Sequence, residues 1–532
     1  MINAKNIIEQ GEAILGIEFG STRIKAVLID NVGTILATGI FDWENHLDNG
    51  IWTYPQEEIL LGLQTAYLNL SENVREKYQV NIRKLSSMGI SAMMHGYLPF
   101  NHKGEQLTEF RTWRNNITQK ASKKLTALFQ YNIPQRWSIA HLYQAILNNE
   151  AHISELDYIT TLSGYIHWKL TNEKVLGIGD ASGMFPINIK TQSYDPNMIE
   201  AFNELICHKN YSWKLEQLLP KVLVAGEIAG KLTEGGARLL DPTGNLCANI
   251  PFCPPEGDAG TGMVATNSIK EKTGNISAGT SAFAMIVLEH ELSNVYEELD
   301  MVMTPAGKLV AMAHSNNCTS DINAWVCLLG ECLKHFGVNI YSEELYEALF
   351  LLALKGENHC GNLLSYGFYS GEHNIGLSEG CPIFIHPTDA NFNLANFMRM
   401  HLYSAFAAMK IGVDILQKKE NVHIEQIFGH GGVFKTTGVA QKFLASALDT
   451  PIATMKTAGE GGAWGIALLA NYLNRNSDSL ESYLDQIFTC ANTFVTPPDK
   501  EIYQGYNDYM KRYLKNLPVV KKAIELNQLG YN

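Results

Sequence analysis

The feature that most constrains this chain's fold is an echo at half its length. "GIEFGSTRIKAVLI" (16–29) is answered by "GNISAGTSAFAMIVL" (274–288). Each reads as a short apolar strand, a glycine followed by two hydroxyl residues, and a second apolar strand. One such hairpin is common. Two of the same design, headed by Gly20 and Gly279, predict a duplicated architecture with two related halves facing each other. Between and beyond them strand-like and helix-like segments alternate, and "NFMRMHLYSAFAAMKIGVDILQKK" keeps helical spacing over about six turns. The expectation is an α/β protein of two domains with a cleft between them. The Gly- and Pro-rich stretch "GARLLDPTGNLCANIPFCPPEGD" leads into the junction, giving domains 1–262 and 263–532.

Charge narrows the partners. A net charge of −13, with no local cluster of Lys and Arg, argues against nucleic acid and anionic membrane. An anionic substrate would need its own donors and a metal ion. The 9 cysteines are scattered without a CxxC pair, which reads as free thiols in a reducing compartment. The N-terminal stretch carries acids where a signal peptide needs an apolar run, and no window reaches the apolar length of a membrane span. The expected location is the cytoplasm.

Several residue groups carry chemistry. Backbone that approaches phosphate closely needs glycine, and nearby hydroxyls add donors. Gly20-Ser21-Thr22-Arg23 and Gly279-Thr280-Ser281 have that composition, as do the clusters at Gly431 and Gly432 and at Gly461 and Gly462. None fits the Walker pattern, and each alone reads equally as a tight turn. Four in one chain raise nucleotide binding above coincidence. Asp258, in "PEGDAGTGM", opens a run of small residues either as a helix N-cap or as a general base, and the two roles are compatible. His95, in "MMHG", is either a substrate donor or a satisfied structural histidine. Trp113, Arg114 and Asn115 join an indole to polar donors, which suits a polyol as well as it suits a surface loop. Glu18 poses a question of its own. A carboxylate in an apolar strand is costly unless something pairs with it.

In their order along the chain these pieces resemble the FGGY family of carbohydrate kinases, and within it the xylulokinase and ribulokinase branch. The resemblance spans nearly the whole length, adding "DASGMFPIN" (180–188) to the segments above. It implies two ribonuclease-H-like domains of the actin and hexokinase superfamily, with an active-site cleft between them. It implies an enzyme that uses ATP and Mg²⁺ to phosphorylate a terminal hydroxyl of a ketopentose, xylulose- or ribulose-like. It gives Asp258 the base role and Met94 and His95 the sugar, whereas the loop with Trp113, Arg114 and Asn115, placed on the sugar side by its composition, differs from the family's. It gives Glu18 and Asp258 the metal, with Glu18 standing where the family usually has aspartate; oxygen ligation of Mg²⁺ tolerates the extra methylene. It gives the phosphates and nucleotide to Gly20, Ser21, Thr22, Arg23, Gly279, Thr280, Ser281, Gly431, Gly432, Gly461 and Gly462. His373 replaces the family's arginine in "SGEHNIG". Homodimers are common in the family, while the sequence itself shows no interface signature. The alternatives are a kinase for another polyol, hexulose or sugar acid, and a nucleotide-dependent binding protein on the same scaffold that transfers nothing.

Overall fold

The computed structural model describes residues 2–372, 375–455, 461–475, 479–489 and 493–529. His373 lies outside them. The chain divides into two compact units. The first comprises Met1–Ile269, Met301–Val310 and Glu460–Cys490; the second comprises Lys270–Asp300, Ala311–Gly459 and Ala491–Asn532. The units therefore interleave along the chain, where the sequence suggests one boundary after residue 262.

In the first unit, β1 (Ile14–Phe19) and β2 (Arg23–Ile29) form the expected hairpin, paired from Ile14↔Ile29 to Phe19↔Ile24. β3 (Ile35–Asp42) extends it antiparallel, and Ser87–Ala92 lies parallel on the other side of β1. Glu256–Gly257 closes the far edge, giving a five-stranded sheet. The helix Gln56–Tyr78 covers part of one face with Ile59, Leu63, Tyr67, Leu70 and Val74, a stripe at helical spacing. Glu57 and Glu58 in its first turn and Arg75 and Lys77 in its last complement its dipole. The helix Gly461–Tyr472 lies directly on β1. Gly16 makes that approach possible: a Cβ there would stand 2.2 Å from the Ala463 carbonyl oxygen. Most of this helix is buried, which matches its apolar sequence all round.

The second unit repeats the plan. Thr273–Ala278 and Ala282–Val287 pair antiparallel, and Gln426–His430 runs parallel to the first of them. Ile452–Met455 and Thr493–Thr496 follow in that order. The echo in the sequence is thus an echo in topology: hairpin, then a parallel neighbour on the first strand. The long periodic segment forms the helix Leu394–Lys418, capped by the Asn393 side chain on the Asn396 N–H at 3.0 Å. Among the described residues no helix is long and apolar enough to cross a membrane.

Candidate active site

Four carboxyl groups gather at one end of the first unit's sheet. Glu18 stands on β1 one residue before its end, and its Oε2 accepts the Ala463 N–H at 3.1 Å. It therefore caps the helix Gly461–Tyr472, where the peptide dipoles present positive charge. Burial raises the Glu18 carboxyl to about 7, with the neighbouring Asp258 adding to the rise. Asp258 is half-buried at the start of the helix Asp258–Ala265. Its Oδ1 accepts N–H groups from Met94 at 3.1 Å and Ala259 at 2.9 Å. Burial raises it to about 6 against the pull of those donors. Of the two roles the sequence leaves open, no side-chain cap hydrogen bond is formed by the residue before the helix, and Asp258 is its first residue.

Behind this pair lie Asp180 and Glu256, both fully buried. Asp180 Oδ2 accepts the hydroxyls of Thr161, at 2.6 Å, and Ser163. Glu256 accepts the Gly179 and Asp180 N–H groups at 3.3 and 3.0 Å. Burial raises Asp180 to about 7 and Glu256 to about 8. Glu256 ties the "DASG" segment to the strand that leads into Asp258. Neither acid is marked as a working residue by its local sequence, because the pair forms only through tertiary contact.

His95 sits in the turn that holds Asp258. Its φ of 68°, followed by 93° at Gly96, makes a left-handed pair that bends the chain back after Ser87–Ala92. The ring is buried, with Nδ1 3.2 Å from the Gly183 oxygen and Trp137 stacked beyond it. Met94 is buried alongside, and Gly257 leaves room for it.

The loop at Trp113 divides in its roles. Asn115 is buried, and its amide is engaged with backbone: Oδ1 accepts the Trp52 N–H at 2.8 Å, and Nδ2 donates to the Trp52 oxygen at 2.8 Å and the Thr112 oxygen at 3.1 Å. It locks the loop, so its contribution is positional. Arg114 is exposed and lies over the Trp52 ring at 3.7 Å. Trp113 packs, half-buried, on the hydrophobic core. Trp52 is a site residue that the sequence marks only faintly, through the alternation of aromatics in "IWTYP".

The first turn is closed by the Gly20 N–H on the Arg23 oxygen at 2.9 Å. Ser21 is half-buried and Thr22 exposed, while Arg23 pairs with Asp42 at 2.7 Å. Gly461 and Gly462 lie with Glu18, and a Cβ on Gly462 would meet Glu18 Oε1 at 2.2 Å. Gly279, Thr280 and Ser281 form the matching turn of the second unit, closed by Gly279 N–H on Ser281 oxygen at 2.9 Å. Gly431, at φ 106°, passes close enough to that unit's first strand that a Cβ would meet the Ala278 oxygen at 2.3 Å, and Gly432 follows.

Glu18 and Asp258 offer hard oxygen donors that burial leaves short of compensating charge, which fits a divalent cation such as Mg²⁺. Two acids, a helix N-terminus and a glycine–hydroxyl turn on this duplicated fold are the parts that phosphoryl transfer calls for. Family models agree over most of the chain. Residues 13–265 match the N-terminal domain of the FGGY family of carbohydrate kinases, and residues 274–473 match its C-terminal domain. The chain belongs to the FGGY family of carbohydrate kinases and is a sugar phosphotransferase with an alcohol group as acceptor. It is 18% identical to the xylulose kinase of Lactococcus lactis subsp. lactis strain IL1403, over 97% of this chain and 99% of that one. Its fold is similar to that of a xylulose kinase from Lactobacillus acidophilus, with TM-score 0.78 and 17% identity over 96% of this chain and 99% of that one. It is equally similar to a gluconate kinase from the same organism, with TM-score 0.78 and 16% identity over 94% and 97%.

Proposed function

We propose that this enzyme transfers the γ-phosphoryl group of ATP to a terminal hydroxyl of a ketopentose, xylulose- or ribulose-like. The observation that carries the reading is Asp258, a carboxyl raised to about 6 and held by the turn that presents His95. At neutral pH such a group is mostly ionised and still basic enough to take a proton. The backbone N–H groups of Met94 and Ala259 both donate to Oδ1, which leaves Oδ2 to receive it.

The attacking hydroxyl oxygen forms its bond to the γ-phosphorus as the bridging bond to ADP breaks, and its proton passes to Asp258. Met94 and His95 orient the sugar, and Arg114 with Trp52 and Trp113 form a wall beside it. The Gly20–Arg23 turn contributes N–H and hydroxyl donors to the phosphates. Gly279, Thr280, Ser281, Gly431 and Gly432 serve the nucleotide in the second unit, and Gly461 and Gly462 bring a helix N-terminus to the phosphate side. A Mg²⁺ ion held by Glu18 and Asp258 would neutralise charge on the phosphoryl oxygens. The chain's own task is positioning.

The relatives named xylulose kinase support the ketopentose, and the gluconate kinase likeness sets the comparison to be made. ADP release should be measured across xylulose, ribulose, hexuloses, glycerol and gluconate. The highest kcat/KM is expected with a ketopentose. A higher value with gluconate moves the substrate to sugar acids, and no ADP release with any of them overturns transfer.

A further inference from the structure

The carbonyls of the turn Gly20-Ser21-Thr22 are each held from behind by one segment. Trp43 Nε1 donates to the Gly20 oxygen at 2.7 Å, and the Trp43 backbone N–H donates to the Thr22 oxygen at 3.2 Å. The Tyr54 hydroxyl donates to the Ser21 oxygen at 2.6 Å. The two rings stack with centroids 4.1 Å apart, and both residues are buried. A peptide group is planar, so fixing a carbonyl fixes the N–H of the next residue on the opposite side. Holding the Gly20 and Ser21 carbonyls therefore aims the Ser21 and Thr22 N–H groups.

The second unit pins the equivalent pair of carbonyls by other means. The Gly279 oxygen accepts the Thr319 N–H at 3.1 Å and the Thr319 hydroxyl at 2.8 Å. The Thr280 oxygen accepts the Cys318 N–H at 2.9 Å. One turn uses aromatic side chains and the other uses a loop backbone for the same end. The aromatic version also reaches further. Trp52, two residues before Tyr54, is bonded through both its N–H and its oxygen to Asn115, and its oxygen also accepts the Thr112 N–H at 3.2 Å. The stretch 52–54 thus joins the 112–115 loop to the turn.

We propose that Trp43 and Tyr54 are positioning residues that preset the Ser21 and Thr22 N–H groups toward a nucleotide phosphate. Through Trp52 they also tie this turn to the loop carrying Arg114. The proposal rests on the reading of this turn as a phosphate site.

Tyr54→Phe keeps the stack and removes one donor, and Trp43→Phe removes another. The expected result in each is a KM for ATP raised roughly fivefold, the loss of one neutral hydrogen bond. The sugar KM should stay within about twofold, while the unfolding midpoint falls modestly because each variant also gives up a buried hydrogen bond. Amide exchange of the peptide spanning the turn should quicken in both variants. A purely structural role would instead shift both KM values together as the midpoint falls, which would overturn the proposal. Unchanged ATP KM with unchanged exchange would overturn it as well. If the parent enzyme phosphorylates no sugar, the kinase reading has failed on its own. Exchange in parent and Tyr54→Phe, with and without MgADP, then still decides: quickened exchange that MgADP slows less in the variant upholds the clamp, and equal exchange overturns it.

Discussion

Glu18 and Ala463 meet across 445 residues of chain, the carboxylate Oε2 accepting the amide N–H at 3.1 Å. This contact explains why an apolar strand carries an acid. The helix N-terminus stabilises the charge on one side, and Asp258 crowds it on the other. Charge and hydrogen bond can be separated by substitution. Glu18→Gln keeps an acceptor for Ala463 but loses the charge, so turnover should fall and the Mg²⁺ requirement rise while thermal stability holds. Glu18→Asp keeps the charge but is one methylene short of the amide. It should retain substantial activity and lose about 1 kcal/mol of stability, the usual worth of a helix cap. Rate against Mg²⁺ concentration and denaturant unfolding check the pair; a fully active Gln variant would remove the metal role.

Gly462→Ala reverses a familiar rule. Alanine within a helix is normally about 1 kcal/mol better than glycine. Here the added Cβ would stand 2.2 Å from Glu18 Oε1 and 2.6 Å from Thr261 Oγ1. The carboxylate must move, so both stability and turnover should drop, as unfolding curves and steady-state rates would register.

Asp258→Asn preserves an oxygen for the Met94 and Ala259 N–H groups but cannot accept a proton. Turnover should fall by about a hundred- to ten-thousand-fold, the range for a general base. Binding of ATP and sugar, measured by calorimetry, should persist. Turnover within a few fold of the parent would take the base role from Asp258.

His95 occupies a left-handed backbone position, so Ala there would add strain to the loss of the ring. His95→Asn is the cleaner test, because asparagine tolerates that conformation. The sugar KM should rise roughly tenfold, with the ATP KM unchanged. The opposite pattern would move the turn to the nucleotide side.

The buried acids predict a pH dependence of stability. Asp180 and Glu256 titrate near 7 and 8 in the folded chain, above the ordinary carboxylate range near 4. Between those limits the folded state binds more protons than the unfolded state, so stability falls as pH rises. These two acids therefore pull the unfolding midpoint of the ligand-free chain down between about pH 5.5 and about pH 8. They act against His141, His152, His167 and His430, which burial keeps neutral and which push the midpoint up as pH rises toward about 7. Glu256→Gln, which cannot ionise, isolates one acid: its midpoint minus the parent's should grow from about pH 5.5 to about pH 8, and a difference that stays constant or shrinks would contradict the environment assigned to Glu256.

The fold was legible because the two hairpins repeat a local pattern, and because Leu394–Lys418 declares its helical period over its whole length. The order of the motifs made the family legible too. Glu18 stands out in the sequence as an anomaly, but its partner does not, since nothing local to Ala463 announces a contact 445 residues away. Asn115 shows the opposite limit. Its composition suited a sugar, yet its amide is occupied by Trp52 and Thr112, and only a tertiary structure shows how a side chain's valences are shared out. Trp43 and Tyr54 are silent in the sequence for the same reason. Aromatic residues in a short strand look like core, and their polar tips matter only once a carbonyl is placed before them.

The helix Gly461–Tyr472 has a consequence for how the molecule is made. It belongs to the first unit, lies on the bare Gly16 of β1 and supplies the amide that receives Glu18. On a ribosome the first unit's sheet emerges early, but the helix that covers it emerges only after the second unit's strands through Ile452–Met455. The first unit to be begun is thus left unfinished until most of the second has emerged. Until then an apolar sheet face waits open, in need of a chaperone's cover or of haste. A fragment ending near residue 269 should therefore aggregate where the full chain does not, and adding the 461–472 peptide in trans should restore its solubility.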